Sequence, residues 1–223
     1  AYEIPLRLVG SEMCIRDRHP VEFDEALARL DALINYETVP RAGAIDGLTL
    51  EPMQQLMSLL GDPQQAYPVI HITGTNGKGS TTRMMESLLQ TMGLRVGTYT
   101  SPHLESVVER IRLDGEPISA DAFGEAIGTV LTAIEASGHQ PMTWFESVTA
   151  AALLEFANEA VDVAIVEVGM LGRYDATNVV SAEGAVITNI KKHSEKSASV
   201  KCHATDLAQR IIKIKKGSWV KAD

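Results

Sequence analysis

The chain has 223 residues, 45% of them apolar and 22% charged, with a formal net charge of −9. That length can bury a core of its own, and no apolar run reaches the roughly 18 residues of a membrane span, so no membrane partner is expected. The acidic balance excludes nucleic acid as a bulk partner. No signal-peptide layout is visible, and Cys14 and Cys202 make no disulfide framework or metal spacing, which fits a cytoplasmic protein.

Residues 1–18 have neither a helical nor a strand period. The run from Leu8 to Arg18 resembles translated adapter-like sequence, so a non-native leader is expected there. Pro20 then opens a helix with an apolar face of Phe23, Ala26, Leu27, Leu30, Leu33 and Ile34. A loop with Pro40, Gly43 and Gly47 follows. Pro52 opens a second helix, with Met53, Leu56, Met57 and Leu60, closed by Gly61.

Val69 to Ile72 reads as a buried strand. Beyond a glycine loop, Met84, Met85, Leu88, Leu89 and Met92 predict the apolar face of a helix that stops at Gly93. Val96 to Thr100 is a second strand, and Arg110 to Ile118 a small hairpin turning at Asp114-Gly115. Ser119 caps a helix toward Ala136, and Phe145 to Ala160 is helical. Val161 to Val168 is a nearly continuous apolar strand, and Ala185 to Thr188 another.

This alternation predicts an α/β fold, a doubly wound and mostly parallel sheet, over residues 19–189. Ligands in such sheets sit at the carboxyl ends of the strands, where Thr73, Ser101, Glu167 and Asn189 fall. Residues 190–223 lose the rhythm. They hold eight lysines and one arginine against three carboxylates, and are expected to be a tail foreign to the body.

The run Thr73-Gly74-Thr75-Asn76-Gly77-Lys78-Gly79-Ser80-Thr81 carries the chemistry. Lys78 is the only lysine in the first 190 residues. Strand, glycine loop and helix form the context of a phosphate cradle. Backbone N–H groups and the helix N-terminus face the phosphates, and the lysine reaches the terminal ones. The fit to G-x-x-x-x-G-K-[ST] is imperfect: Ile72 stands at the first glycine position and Gly79 where Ser or Thr belongs. An ordinary strand-to-helix turn is the competing reading.

The hydroxyls of Ser80 and Ser101 and the carboxylate of Glu167 suit a magnesium nucleotide, because magnesium takes one or two such oxygens and fills its shell with phosphate and water. Glu167 could instead be a solvent-facing residue at a strand end, and Ser101 before Pro102 a plain turn former. His71, inside the first strand, reads as a satisfied core residue.

Together with the glycine loop, the ordered motifs Thr100-Ser101-Pro102-His103-Leu104, Glu109-Arg110-Ile111, Phe145-Glu146, Val166-Glu167-Val168-Gly169 and Gly172-Arg173-Tyr174-Asp175-Ala176-Thr177-Asn178 resemble the folylpolyglutamate synthase/dihydrofolate synthase family of the Mur ligase superfamily. That superfamily has the same short glycine loop.

The resemblance implies an ATP-dependent ligase. It would join L-glutamate to dihydropteroate, to folate or to both through an acyl phosphate, as a monomer. It places Asn76, Gly77, Lys78, Gly79, Ser80 and Thr81 on ATP, and Ser80, Ser101 and Glu167 on Mg2+. Ile45, Asp46, Thr143, Trp144, Phe145, Glu146 and Asp175 fall on the pterin side, with Lys78 and His103 as catalytic groups. For Trp144 and Phe145 core packing stands beside pterin stacking, and for His103 a surface-turn position stands beside catalysis.

Leu171 departs from the family's paired glycines. Lys191 to Glu195, including His193, do not match the segment that follows in the family, so the chain alone is expected to show no ligase turnover. Two other readings stand beside this one: a Mur-type peptide ligase acting on a nucleotide sugar, and an ATP-binding module without catalysis.

Overall fold

A computed structural model describes residues 22–38, 49–138, 142–169 and 172–189. The expected leader, the basic tail, and Ile45 and Asp46 lie outside the described residues. So do Pro20 and His193.

The chain forms helices α1 (Phe23–Asp31), α2 (Glu51–Leu59), α3 (Lys78–Thr91), α4 (Ala120–Ser137) and α5 (Trp144–Asn158). Its strands are β1 (Val69–Thr73), β2 (Val96–Tyr99), β3 (Ile111–Leu113), β4 (Glu116–Pro117), β5 (Val163–Glu167) and β6 (Gly184–Ile187). They make one sheet in the order β4-β3-β2-β5-β1-β6. β2, β5, β1 and β6 run parallel, and the β3–β4 hairpin adds an antiparallel edge. The expected α/β fold with a mostly parallel sheet is what the chain adopts.

Both faces of the sheet are covered, which is why β5 is buried along its whole length. On one face α1, α2, α4 and α5 pack over Val69, Tyr99, Ala164 and Val166. On the other, α3 lies over Ile72, Val96, Val163 and Ile165. Strand alternation then decides what faces what. His71 shares the face of Val69, toward the large helical layer. Glu167 shares the face of Ile165, toward α3.

The structure corrects part of the apolar face expected for α3. Leu89 is buried as expected and Met85 packs beside it, but Met84, Leu88 and Met92 are turned outward, at 65%, 60% and 67% exposure, while Thr82 and Glu86 are buried. The cause is polar. Glu86 reaches inward to Arg112 of β3, with Nε to Oε1 at 3.4 Å, so part of the covered side of α3 is taken by a charged pair. The first helix also ends before its expected face does. Leu33 and Ile34 follow α1, and Ile34 is exposed.

Candidate active site

β1 runs directly into the glycine loop, and α3 begins at Lys78 with Gly77 as its N-cap. No side chain caps this helix, so its first N–H groups and partial positive charge are presented at the loop. The end of β6 braces the loop. Thr188 Oγ1 donates to the carbonyl of Asn76 at 2.6 Å, and Asn189 Oδ1 accepts from the Asn76 N–H at 2.9 Å. The Asn189 carbonyl accepts from the Thr75 N–H at 2.9 Å. Gly74 has φ +143°, and a Cβ there would stand 2.1 Å from Thr188 Oγ1, so only glycine permits this approach. The Asn76 amide, expected to face phosphate, is thus engaged by Asn189. Asn189 was expected at a ligand-facing strand end; its bracing of the loop, and Thr188 beside it, were not identified in the sequence.

Glu167 ends β5, beside β1, and is buried. Lys78 Nζ lies 3.8 Å from its Oε1, and the close approach of Gly79 would put a Cβ 3.6 Å from its Oε2. Burial raises the carboxyl above its ordinary range; the Lys78 ammonium and the Ser101 backbone N–H pull it back down. Lys78, Gly79, Ser101 and Glu167 therefore converge, with Ser80 and Thr81 on the same first turn of α3. Glu167 Oε2 is buried without a hydrogen-bond partner. Among the described residues no group of three His, Cys, Asp or Glu could hold a metal ion. A single carboxylate with an orphaned oxygen beside hydroxyl groups fits a magnesium ion that draws its remaining ligands from phosphate and water. It does not fit a closed structural metal site.

A second site opens on the other face. Thr143, Phe145, Glu146 and Asp175 line a cleft of about 410 Å³, counting its open mouth, together with Tyr36, Glu37, Tyr174 and Ala176. This brings together four of the seven residues expected on the pterin side. Thr143 and Glu146 also form the capping box of α5: Glu146 N–H donates to Thr143 Oγ1 at 3.2 Å, and Thr143 N–H to Glu146 Oε2 at 2.8 Å. Gly169 lets the walls close, since a Cβ there would stand 2.6 Å from Phe145 Cζ and 2.8 Å from Asp175 Oδ2.

Trp144 is not among the residues lining this cleft. It is buried, and its Nε1 donates to Asp31 Oδ1 at 3.0 Å. Its face carries the guanidinium of Arg110, 4.6 Å from the ring centroid. Arg110 is 1% exposed and forks onto Glu37 at 3.3 and 2.5 Å. It also donates from Nε to His103 Nδ1 at 2.8 Å. Burial and the Arg110 charge hold His103 below its ordinary pKa. His103 is therefore tied into a buried cluster behind the cleft. Arg110, Tyr36, Glu37 and Tyr174 had no assigned role in the sequence, although Arg110 and Tyr174 lay inside recognised motifs.

With this geometry in view, known proteins supply the comparison. A model of the Mur ligase middle domain matches residues 72–200. The dihydrofolate synthase/folylpolyglutamate synthase of Mycobacterium tuberculosis is 47% identical over 152 residues, covering 64% of this chain and 31% of that protein. The corresponding Escherichia coli protein is 38% identical over 166 residues, covering 74% of this chain and 38% of that protein. The chain spans about a third of the length of these two curated relatives.

Solved structures agree. Mycobacterium tuberculosis folylpolyglutamate synthase complexed with ADP superposes with a TM-score of 0.69 at 39% identity, covering 82% of this chain and 40% of that one. Escherichia coli FolC in complex with DHPP and ADP gives 0.66 at 36% identity, covering 77% of this chain and 39% of that one. No helix among the described residues is long and apolar enough to cross a membrane.

Proposed function

The chain belongs to the Mur ligase family through its middle domain, and on that premise we propose that it carries the ATP and pteroate sites of a ligase that adds L-glutamate to dihydropteroate or folate. The observation that carries this reading is the pairing of two sites on one sheet. The Lys78–Glu167 pair stands at the glycine loop, and the cleft holding Phe145 and Asp175 lies past the end of β5. The names of the relatives, and the ADP and DHPP bound in their structures, support the same reading.

In this reaction a carboxylate oxygen of the pteroate or folate attacks the γ-phosphorus of ATP. The bond to the ADP oxygen breaks and an acyl phosphate forms. The glutamate amine then attacks the acyl carbon, the bond to the phosphate oxygen breaks, and the amine proton leaves. Such phosphoryl transfer is mostly positioning and charge stabilisation. The Lys78 ammonium supplies fixed positive charge to the terminal phosphates, and the N-terminus of α3 supplies oriented N–H groups. Glu167, Ser80 and Ser101 would hold magnesium, which when bound neutralises charge on the phosphates. Phe145 offers a ring face to a planar heterocycle, and Asp175 an acceptor for its N–H groups. The protein acts as a monomer on small molecules in the cytoplasm.

Calorimetric titration in the presence of a non-hydrolysable ATP analogue tests the reading. Dihydropteroate or folate should bind and a UDP-sugar should not. Binding of the UDP-sugar alone would favour a peptide ligase on nucleotide sugars. Nucleotide binding with neither organic substrate would leave a plain ATP-binding module.

A further inference from the structure

His71 belongs to β1 and is buried on the face of the sheet away from the glycine-loop helix. Its Nε2 lies 3.0 Å from Thr177 Oγ1. Thr177 in turn gives Asp175 two hydrogen bonds, from Oγ1 at 2.6 Å and from its N–H at 3.2 Å, both to Oδ1. All three residues are buried. A threonine hydroxyl has one proton. That proton goes to the Asp175 carboxylate, which only accepts. Toward His71 the hydroxyl can then only accept, so the proton of that contact sits on His71 Nε2.

The direction of the chain is therefore fixed: His71 Nε2–H to Thr177 Oγ1–H to Asp175 Oδ1. Oδ1 accepts both bonds from Thr177, Oδ2 lies on the side of Gly169, where a Cβ would stand 2.8 Å from it, and Asp175 is among the residues that line the cleft. A carboxylate that is to meet N–H groups of a planar ring must have its plane held in one orientation.

We propose that His71 and Thr177 are positioning residues for substrate recognition: they lock the carboxylate plane of Asp175 in the wall of the cleft that receives the heterocycle. This rests on the proposed function for the role of Asp175, and adds to it two residues that touch no substrate. His71 is then more than a satisfied core histidine, because its ring sets the geometry of a group one residue removed.

The test uses matched pairs. His71→Gln retains an amide donor near the place of Nε2, and Thr177→Ser retains the hydroxyl. His71→Leu and Thr177→Val remove the relay while filling the space. Affinities for folate and for a non-hydrolysable ATP analogue are measured on each variant. His71→Leu and Thr177→Val should weaken folate by about tenfold or more, the scale of one lost buried hydrogen bond to a charged group, with nucleotide affinity unchanged. His71→Gln and Thr177→Ser should stay close to the parent protein. Equal loss of both ligands, or loss in the conservative variants as well, would overturn the proposal, as would unchanged folate affinity in Leu and Val.

Nitrogen-15 NMR of the His71 ring decides the relay independently of any ligand and of whether the apolar variants fold. A proton on Nε2 supports it, and a proton on Nδ1 alone overturns it. If the parent protein binds no folate, the proposed function fails by that result, while the ring signal still reports on the relay.

Discussion

Lys78 Nζ stands 3.8 Å from Glu167 Oε1, joining the first residue of α3 to the last residue of β5. The two groups are tied by topology as much as by charge. β5 lies beside β1, and the loop after β1 delivers Lys78 across the end of β5. An ammonium and a buried carboxylate thus share one corner of the sheet.

Lys78→Ala should therefore abolish binding of a fluorescent ATP analogue. The side chain is not part of the core, so the melting temperature should move little. The same change removes the positive charge that lowers the Glu167 carboxyl, so that group should protonate at still higher pH. Unaltered nucleotide affinity in the variant would remove Lys78 from the phosphate site.

Glu167→Gln should weaken nucleotide binding more in magnesium than in chelator. The amide keeps the shape and loses the charge a hard divalent ion prefers. Because burial disfavours the ionised carboxylate, the variant should be at least as stable as the parent at neutral pH. The comparison is a pair of titrations and a pair of melting curves. Equal effects with and without metal would assign Glu167 a structural role.

Much of this corner was legible in the sequence because local chemistry dictates it. Glycines, a lone lysine and an apolar strand ending in glutamate have few other uses in this order. The cleft was half legible. Thr143, Phe145, Glu146, Tyr174 and Asp175 lay in or beside recognisable motifs, whereas Tyr36 and Glu37 come from a distant segment that only the fold brings to them. For Trp144 the sequence left core packing and pterin stacking side by side; the structure buries its ring under Arg110, a contact that nothing in the sequence reveals. The inward side of α3 was legible only in part, for a related reason. Its buried Glu86 is charged, and periodicity arguments count apolar residues only.

Gly169→Ala should damage the cleft selectively. The new methyl would stand against Phe145 Cζ and Asp175 Oδ2, so one or both must move. Folate affinity should fall by about tenfold or more, while the ATP analogue binds as before. Parallel titrations of both ligands check this. A variant that binds folate normally would show that these two walls do not touch it.

Glu109 should make the segment after His103 sensitive to acid. Its carboxylate accepts N–H bonds from Leu104 at 2.9 Å, Glu105 at 3.1 Å and Ser106 at 2.8 Å. The N–H bonds from Leu104 and Ser106 are the main causes that hold its pKa below the ordinary carboxylate value. A carboxyl depressed on folding contributes stability above its unfolded pKa and loses it as pH falls through the folded one. The three amides should stay protected from exchange at neutral pH and lose protection only under distinctly acidic conditions. Glu109→Gln should expose them at neutral pH. Hydrogen exchange at these amides is the measurement, and protection unchanged in the variant would reject the role.

Arg110 should prove costly to remove alone and cheaper to remove with its partner. It is buried, forks onto Glu37, and also supports His103 and Trp144. Deleting one member of a buried pair leaves the other charge without compensation, a loss of about 3–5 kcal/mol. Arg110→Met should therefore lower stability strongly. Adding Glu37→Gln should recover part of the loss, because the stranded carboxylate goes with it. The double variant should still fall short of the parent, since the contact with His103 and the stacking on Trp144 remain broken. Denaturant unfolding of the two single variants and the double completes the cycle. Simple additivity of the two losses would mean that the Arg110–Glu37 pair is not coupled, and that packing on Trp144 alone accounts for the burial of Arg110.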